Sequence, residues 1–425
     1  MIVTYFKQAW QLLKQNKLFS TIYIIGTALA IASTTIFAII YYVKLAPVYP
    51  EYKKNKIYTV QFLDVDDGQF IRRMGSFSKD LMQDLFFNLE NAEIVSAYLD
   101  GSGQSLIRLP NQDNYHERVS RFADTAHFKI LDYEFLAGAP FSQDDFDGGV
   151  HKVAISDRVC EKLFSSPEEA IGKTVSLDFS DYEICGVFRE GSFINRRSYA
   201  QAIAPYTVSS KSTMAFSPLN GWFNAMILTD NPEGVKAEMD EFCSKYASTH
   251  NGQKIIFPNQ PYSAIAVALS ESPDDELDFT SIIRKNLLIL LTLLIVPALN
   301  LSGMIAGRMD LRRSELGIRK SFGATAGKLL RQVLWENLFL TIVGGIFGLV
   351  LTWLILSTDA VSIFSNIGST SRYMPSGVEI RLTSDMLFAP AVFIFALLVC
   401  VVLNILSALI PAWNALRKPI VKSLK

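Results

Sequence analysis

Three residues come close to a nucleotide-binding motif without completing it. Gly172-Lys173-Thr174 match the end of the phosphate-binding loop G-x-x-x-x-G-K-[ST], but residue 167 is proline where the first glycine belongs. The motif also requires a helix after the loop, whereas the residues from Val175 onward have the composition of a strand. They therefore indicate a turn that enters a strand, and we expect no nucleotide-binding loop in this chain.

Metal-binding and nucleophilic residues are present, but their spacing does not fit a site. The four histidines form no His-x3-His pair and the four cysteines form no Cys-x2-Cys pair. The carboxylates of residues 144–147 could hold a cation weakly, but a calcium loop needs alternating ligands and a closing glutamate, so a solvated acidic loop is expected. No G-x-S-x-G nucleophile elbow occurs. We expect no catalytic residue, no metal and no bound cofactor.

The composition is typical of a protein with membrane-spanning helices. Of the 425 residues, 50% are hydrophobic and only 19% are charged, with a formal net charge of −1, which excludes a disordered chain and argues against a nucleic-acid partner. Four runs are free of charge over at least the roughly 20 residues that cross a bilayer as a helix. They are residues 18–43, 286–307, 337–358 and 386–416. Buried core helices of this length would need a charged face, so four transmembrane helices are predicted.

The charges that flank these runs predict the orientation. Residues 1–17, 308–336 and 417–425 together hold fourteen basic and three acidic residues, against twenty-six basic and thirty-eight acidic elsewhere. Basic segments stay in the cytoplasm, so both termini are predicted cytoplasmic. Residues 1–17 would form an amphipathic interfacial helix and residues 18–43 an uncleaved anchor, because the apolar run outlasts a signal peptide. Residues 44–285 become a large extracytoplasmic domain and residues 359–385 a short outer loop.

The predicted outer domain, residues 44–285, has mixed α/β patterning. Residues 56–62, 153–155, 226–228 and 255–257 indicate strands, and residues 175–179 and 182–188 indicate a strand pair around a turn at Ser180-Asp181. Ser78, Ser156 or Asp157, and Asn231-Pro232 are helix-capping signals. Three of the cysteines lie in this domain and allow at most one disulfide. Segments 50–95 and 222–265 are expected to form one split subdomain, and residues 96–221 a β-rich insertion.

The apolar runs carry one packing motif and lack the groups that an ion-coupled transporter uses. Gly344 and Gly348 form a G-x-x-x-G pair that permits close helix contact, within one subunit or across a dimer. No acidic or basic residue lies at the centre of a run, which disfavours coupling to an ion gradient.

The basic loop of residues 308–336 is the most informative stretch. It predicts a basic helix, a turn at Gly323, and a second helix from Thr325 that runs into the third apolar run. Glu315 and apolar Leu316, Ile318 and Phe322 lie among the basic residues, which a simple charge anchor would not need.

Residues 315–324, with the sequence ELGIRKSFGA, closely resemble the start of the FtsX-like permease domain of bacterial type VII ABC systems. Pro411, Arg417 and Pro419 are similar to that family's ending. Residues 153–156, 171–175 and 185–188 are similar to the MacB-like periplasmic core. The resemblance implies a four-span permease subunit of the bacterial inner membrane, with its large domain in the periplasm. The residues that the resemblance assigns to ATPase coupling are Arg312, Arg313, Glu315, Leu316, Gly317, Ile318, Arg319, Lys320, Phe322 and Gly323.

The resemblance also implies partners. They are a cytoplasmic ABC ATPase dimer that binds ATP and Mg²⁺, a second permease copy that is either identical or a paralogue, membrane lipid, and a periplasmic adaptor or outer-membrane protein. The macrolide exporter of this family fuses its ATPase before the first span, where this chain has 17 residues, so a separate ATPase is expected. ATP-driven closure of the ATPases would then move the outer domains (mechanotransmission), for export or for extraction of a substrate. A sensor or scaffold that regulates cell-envelope enzymes without transport is the alternative, and a membrane-bound hydrolase is disfavoured.

Overall fold

A computed structural model describes residues 17–66, 68–100, 105–110, 116–250, 253–270, 278–289, 291–292, 318–319, 321–358 and 390–417, together with residues 307, 378, 382 and 386. The chain forms two compact units. The helix unit comprises Met1–Tyr42, Ile283–Phe364 and Met386–Lys425, and the sheet unit comprises Val43–Ile282 and Ser365–Asp385.

The named strands and the helices between them lie after the long helix α1 and before the two long helices α9 and α10. The helices are α1 (Lys17–Leu45), α2 (Lys79–Asp84), α3 (His127–Ile130), α4 (Gln143–Asp147), α5 (Asp157–Leu163), α6 (Pro167–Ala170), α7 (Pro232–Thr249), α8 (Ala264–Leu269), α9 (Ala326–Leu356) and α10 (Pro390–Arg417). The strands are β1 (Ile57–Val60), β2 (Leu63–Asp66), β3 (Ile71–Met74), β4 (Ile94–Asp100), β5 (Ser105–Arg108), β6 (His116–Arg118), β7 (Ser120–Ala123), β8 (Phe135–Gly138), β9 (Lys152–Ser156), β10 (Thr174–Leu177), β11 (Ser180–Phe188), β12 (Ala202–Pro205), β13 (Phe223–Leu228), β14 (Lys254–Ile256) and β15 (Tyr262–Ser263).

The helix unit contains the long apolar helices. By length and composition, Ser20–Leu45 in α1 and Gly327–Leu356 in α9 can cross a membrane, and α10 contains the shorter apolar segment Val392–Leu403. Residues 279–289 are helical, and Asp278 caps them by accepting the backbone N–H of Thr280 at 3.0 Å. Most of the predicted second span, residues 286–307, lies outside the described residues. So do residues 1–16 of the interfacial helix predicted over residues 1–17.

The sheet unit is built on a twelve-stranded sheet. Its order is β15-β1-β13-β4-β7-β12-β9-β11-β10-β5-β6, with β8 paired to β11. The strands from the two ends of the unit, β15, β1, β13 and β4, are consecutive in this order, and the strands of the middle segment continue the same sheet. A smaller sheet, β14-β2-β3, is formed by the end segments. Strand β4 pairs with β13 on one edge and with β7 on the other. The end segments and the middle segment therefore share one sheet.

The large sheet has two apolar cores, and strands β9, β11 and β12 contribute residues to both. One cluster joins β1, β4 and β13 with helices α2 and α7, and includes Phe77, Phe86 and Phe223. The other lies between β9, β10, β11 and helix α5, and includes Val153, Ile155 and Val159. Helix caps begin the packed helices: Ser78 accepts from Leu81 N, Ser156 from Val159 N, and Asn231 from Gly234 N. These caps confirm three of the capping signals in the sequence.

Two local predictions are wrong. The turn between β10 and β11 lies at Asp178-Phe179, where φ is +49° and +69°, while Ser180 and Asp181 belong to β11. A two-residue hairpin turn of this kind needs positive φ at both central positions, and aspartate tolerates it. Residues 143–147 form helix α4 instead of an acidic loop, because Ser142 and Asp145 make a capping box at its start.

Candidate coupling site

The turn that precedes α9 is a helix C-cap built around Gly323. Phe322 N donates to the Ile318 carbonyl at 3.1 Å, and Ala324 N donates to the Arg319 carbonyl at 3.0 Å. Gly323 has φ +88°, the left-handed conformation that glycine adopts without a Cβ penalty. The longer bond and the left-handed glycine are those of a Schellman motif, which stops the preceding helix and reverses the chain. Thr325 then starts α9 by accepting the Lys328 backbone N–H.

This turn presents an apolar side chain. Phe322 is 88% exposed and Ile318 is 49% exposed. Both precede Gly327–Leu356, the apolar segment of α9 that is long enough to cross a membrane. Phe322 is the most exposed of the large apolar side chains among the described residues, and a hydrogen-bonded turn that presents such a side chain suits a contact with another protein.

A polar contact holds the turn against the start of α9. Arg319 donates from its guanidinium to Oε1 of Gln332 at 2.8 Å, and Gln332 is buried. Because Gln332 lies two helical turns beyond Thr325, this bond fixes the direction in which the turn leaves α9. Of the predicted coupling residues, the structure describes Ile318, Arg319, Phe322 and Gly323, and these four are brought together at the turn. Arg312, Arg313, Glu315, Leu316, Gly317 and Lys320 lie outside the described residues.

The glycines of α9 lie against α1 of the same chain. A Cβ atom at Gly344 would lie 2.9 Å from Cβ of Thr27, and one at Gly348 would lie 2.8 Å from the Ala28 carbonyl oxygen. A Cβ at Gly345 would meet Leu397 of α10 at 2.9 Å. Glycine at these positions therefore lets α9 approach both neighbours more closely than any other residue would allow. The sequence does not say whether Gly344 and Gly348 contact a helix of the same subunit or of a second copy. In the structure both glycines lie against α1 of the same chain.

One buried cluster in the sheet unit contains the residue types of a catalytic triad, and sequence spacing did not reveal it. Ser96 Oγ donates to Asp124 Oδ1 at 2.8 Å and lies 3.4 Å from His127 Nδ1. In a working triad the histidine lies between the other two, whereas here the serine hydroxyl is bonded to the aspartate. All three side chains are buried, and burial lowers the pKa of His127 well below its usual range. The cluster therefore links β4 to α3 inside the core.

Two motifs that suggested ligand sites have structural roles. Gly172 has φ +74° and begins the turn into β10, and its N–H donates to the Ile184 carbonyl at 2.9 Å. Asp145 pairs with Lys152 at 2.8 Å, and this contact, with the Ser142 backbone N–H, lowers the pKa of Asp145 to about 2. Among the described residues, no group of three His, Cys, Asp or Glu side chains could hold a metal ion.

The chain has helices that are long and apolar enough to cross a membrane, and it also has a large mixed α/β unit. Residues 20–242 match the family described as the MacB-like periplasmic core domain, and residues 287–420 match the family described as the FtsX-like permease C-terminal. The chain therefore belongs to the MacB- and FtsX-like permease family, whose members carry this domain on the periplasmic side of the inner membrane.

Curated relatives are similar over nearly the whole chain. The macrolide export ATP-binding/permease protein MacB of Escherichia coli strain K12 is 24% identical over 419 residues, covering 96% of this chain and 58% of the relative. The protein of the same name from Shigella flexneri is 23% identical over the same shares. The chain thus spans a little over half the length of the curated relatives that it matches.

Solved structures of related domains align with part of the chain. A domain of a permease protein from Porphyromonas gingivalis has a TM-score of 0.37 and 16% identity, covering 54% of this chain and 97% of that one. The periplasmic region of MacB from Actinobacillus actinomycetemcomitans has a TM-score of 0.33 and 11% identity, covering 46% and 87%.

Proposed function

We propose that this chain is the permease subunit of an ABC transporter and that a separate cytoplasmic ATPase binds its loop of residues 312–323. The ATPase would bind and hydrolyse MgATP, and this chain would bind no cofactor. Its closure would move the sheet unit through the membrane helices, for export or extraction of a periplasmic or membrane substrate. Membership of the permease family supports the class, and the residues of the chain itself support the place of contact.

The observation that carries this proposal is the exposure of Phe322 on a hydrogen-bonded turn. The side chain is 88% exposed, and the left-handed Gly323 and the Arg319–Gln332 bond hold the turn that carries it. When the turn that carries an apolar side chain is already formed, little conformational entropy is lost on binding. Such a side chain therefore suits a small apolar pocket on a partner. The surrounding basic residues favour an acidic rim on that partner.

The proposed topology has four spans and two cytoplasmic termini. It places the turn at residues 318–325 on the same side as the termini, where ATP is available, and places the sheet unit in the periplasm. Supporting observations are the membrane-crossing length of α1 and α9 and the excess of basic residues in the cytoplasmic segments. A second permease copy, identical or paralogous, would complete the complex around an ATPase dimer. A periplasmic adaptor or outer-membrane protein is the further partner proposed.

The test is co-expression and co-purification of the full chain with a candidate ABC ATPase. Phe322→Ala should weaken the association about 10-fold to 100-fold, the loss typical of an apolar anchor residue at an interface. Lys328→Ala is the matched control, because Lys328 is also exposed and lies in the first turn of α9. It should change the association less than threefold.

A charge-reversal variant provides a second test of the same contact. Glu315→Arg combined with Arg319→Glu should abolish stimulation of the ATPase in the purified complex. If this double variant and Phe322→Ala both bind and stimulate the ATPase like the unmodified chain, the assignment of the loop is wrong.

A further inference from the structure

A fully buried lysine lies just beyond the end of α1. Lys54 has no exposed surface, and its partners Glu51 and Asn195 are 5% and 3% exposed. Lysine is almost never buried to this extent unless its charge is paired. The site is therefore specific and has to be explained by what the ammonium group contacts.

The ammonium group of Lys54 has three acceptors from three parts of the sheet unit. Its Nζ lies 2.8 Å from Oε2 of Glu51, donates to Oδ1 of Asn195 at 3.0 Å and donates to the carbonyl oxygen of Val43 at 3.2 Å. An ammonium group has three N–H bonds, so each of them has a partner. We refer to Glu51, Lys54 and Asn195 as the Lys54 clamp.

The contact with Val43 is a helix C-cap supplied from outside the helix. The sheet unit begins at Val43, so the last turn of α1, which ends at Leu45, is part of that unit. The last four carbonyl groups of a helix have no partner within it, and a cation there is favoured by the helix dipole. Lys54 thus satisfies a carbonyl that would otherwise be buried without a donor, since Val43 has no exposed surface.

The segment between α1 and β1 is itself fixed to the sheet unit. Tyr49 donates from its hydroxyl to the Arg189 carbonyl, and the Arg189 guanidinium lies 4.3 Å from the Tyr49 ring centroid. The Pro50 carbonyl accepts from Asp132 N at 3.0 Å. Asn195 is held in turn by backbone bonds within residues 192–199, such as Asn195 N to the Ser192 carbonyl at 3.0 Å. The clamp therefore connects the end of α1 to a hydrogen-bonded loop that lies far away in the sequence.

Stability alone does not explain a buried ion pair at this position. Apolar side chains of similar volume are often equally good or better for stability, whereas three directed bonds fix both the position and the orientation of the helix end. We propose that Lys54 is a positioning residue that makes the last turn of α1 and residues 189–201 move as one body. This proposal rests on the proposed function, because an ATPase can move the sheet unit through α1 only if that helix end is held.

The direct test needs no ATPase. Hydrogen exchange of the full chain in nanodiscs is compared between the unmodified protein and Glu51→Gln combined with Lys54→Met, which removes both buried charges and leaves none unpaired. Amide exchange at residues 42–48 should become at least about tenfold faster, with the core strands β4 and β13 unchanged, as expected for local opening. The neighbouring exposed pair Lys53–Asp132, with N and O 2.9 Å apart, is the control. Lys53→Met with Asp132→Asn should change exchange at residues 42–48 less than twofold.

A milder variant covers the case in which the double variant does not fold. Asn195→Leu keeps the ion pair and removes only the bond to the loop, and it should speed exchange at residues 42–48 about threefold or more. Unchanged exchange there in either folded variant overturns the proposal. Equal acceleration throughout the sheet unit also overturns it, since that result shows a purely structural role.

The complex with the ATPase separates this proposal from the proposed function. The Glu51→Gln, Lys54→Met variant should still bind the ATPase and hydrolyse ATP, but should lose any ATP-dependent change in exchange within the sheet unit. If the unmodified chain binds no ATPase, the proposed function fails while the exchange result at residues 42–48 still stands. If the variant keeps the full ATP-dependent change, the positioning role of Lys54 is refuted.

Discussion

Substitution of Gly348 by alanine tests the packing of α9 against α1. The added Cβ would lie 2.8 Å from the Ala28 carbonyl oxygen and 3.0 Å from Ile31 Cβ, where ordinary contacts begin at 3.4 Å. A backbone oxygen cannot rotate away, so the two helices must separate by about half an ångström or tilt. Overpacking of this kind costs about 1 to 3 kcal/mol.

Gly327 provides the matched reference within the same helix. A Cβ at Gly327 would have no atom within 4 Å, so Gly327→Ala adds helix propensity without a clash. Each substitution gains up to about 1 kcal/mol from propensity, and the difference between the two variants isolates the cost of the contact. We expect Gly327→Ala to be neutral or stabilising, and Gly348→Ala to be less stable than Gly327→Ala by about 1 to 3 kcal/mol.

The assay is reversible denaturation of the full chain in mixed micelles, followed by tryptophan fluorescence, to which Trp335 and Trp353 of α9 contribute, with the oligomeric state measured in parallel. Equal stability of the two variants within about 0.3 kcal/mol would show that Gly348 does not lie against α1. A loss of dimer without a loss of monomer stability would show instead that the glycine face packs on a second copy. Unchanged oligomeric state with the expected loss of stability supports contact within one chain.

Three further predictions follow from the described residues. Burial raises the pKa of Asp124 to about 6, so the stability it contributes is complete below its unfolded pKa near 3.8 and is lost as the pH rises through about 6. Relative to Asp124→Asn, the unmodified chain should gain about 1 kcal/mol between pH 7 and pH 5 in thermal unfolding, and parallel pH profiles would contradict this. Burial raises the pKa of Cys185 and Cys243 to about 12. Both thiols should therefore resist alkylation at pH 8 in the folded chain and react after denaturation. Rapid labelling of the folded chain would refute the burial of these thiols. Gly323→Asn should retain more ATPase binding in a pull-down than Gly323→Val, because asparagine tolerates the left-handed conformation, and equal losses would rule out a requirement for positive φ.

Local signals in the sequence located the ends of several helices. Ser78 and Asn231 cap their helices as predicted, and Thr325 caps α9 at the residue where the second helix of the basic loop was predicted to begin. Such caps are predictable because donor and acceptor lie three residues apart, so the bond depends on little beyond the local chain. The Asp178-Phe179 turn was predicted two residues too late, because its register is set by pairing with a distant strand. Asp178 Oδ1 accepts the N–H of Leu106 at 2.9 Å, on β5.

The sequence by itself determined the apolar runs, the asymmetry of charge around them and the motif of the basic loop. These are additive properties of neighbouring residues, and transfer from water to lipid depends mainly on such sums. Only the tertiary structure decided that Gly344 and Gly348 lie against α1, that Ser96, Asp124 and His127 are buried together, and that Lys54 meets Val43 and Asn195. Each of these contacts joins groups that are far apart in the chain or on different elements, and the cost of burying a polar group depends on partners that no local pattern specifies.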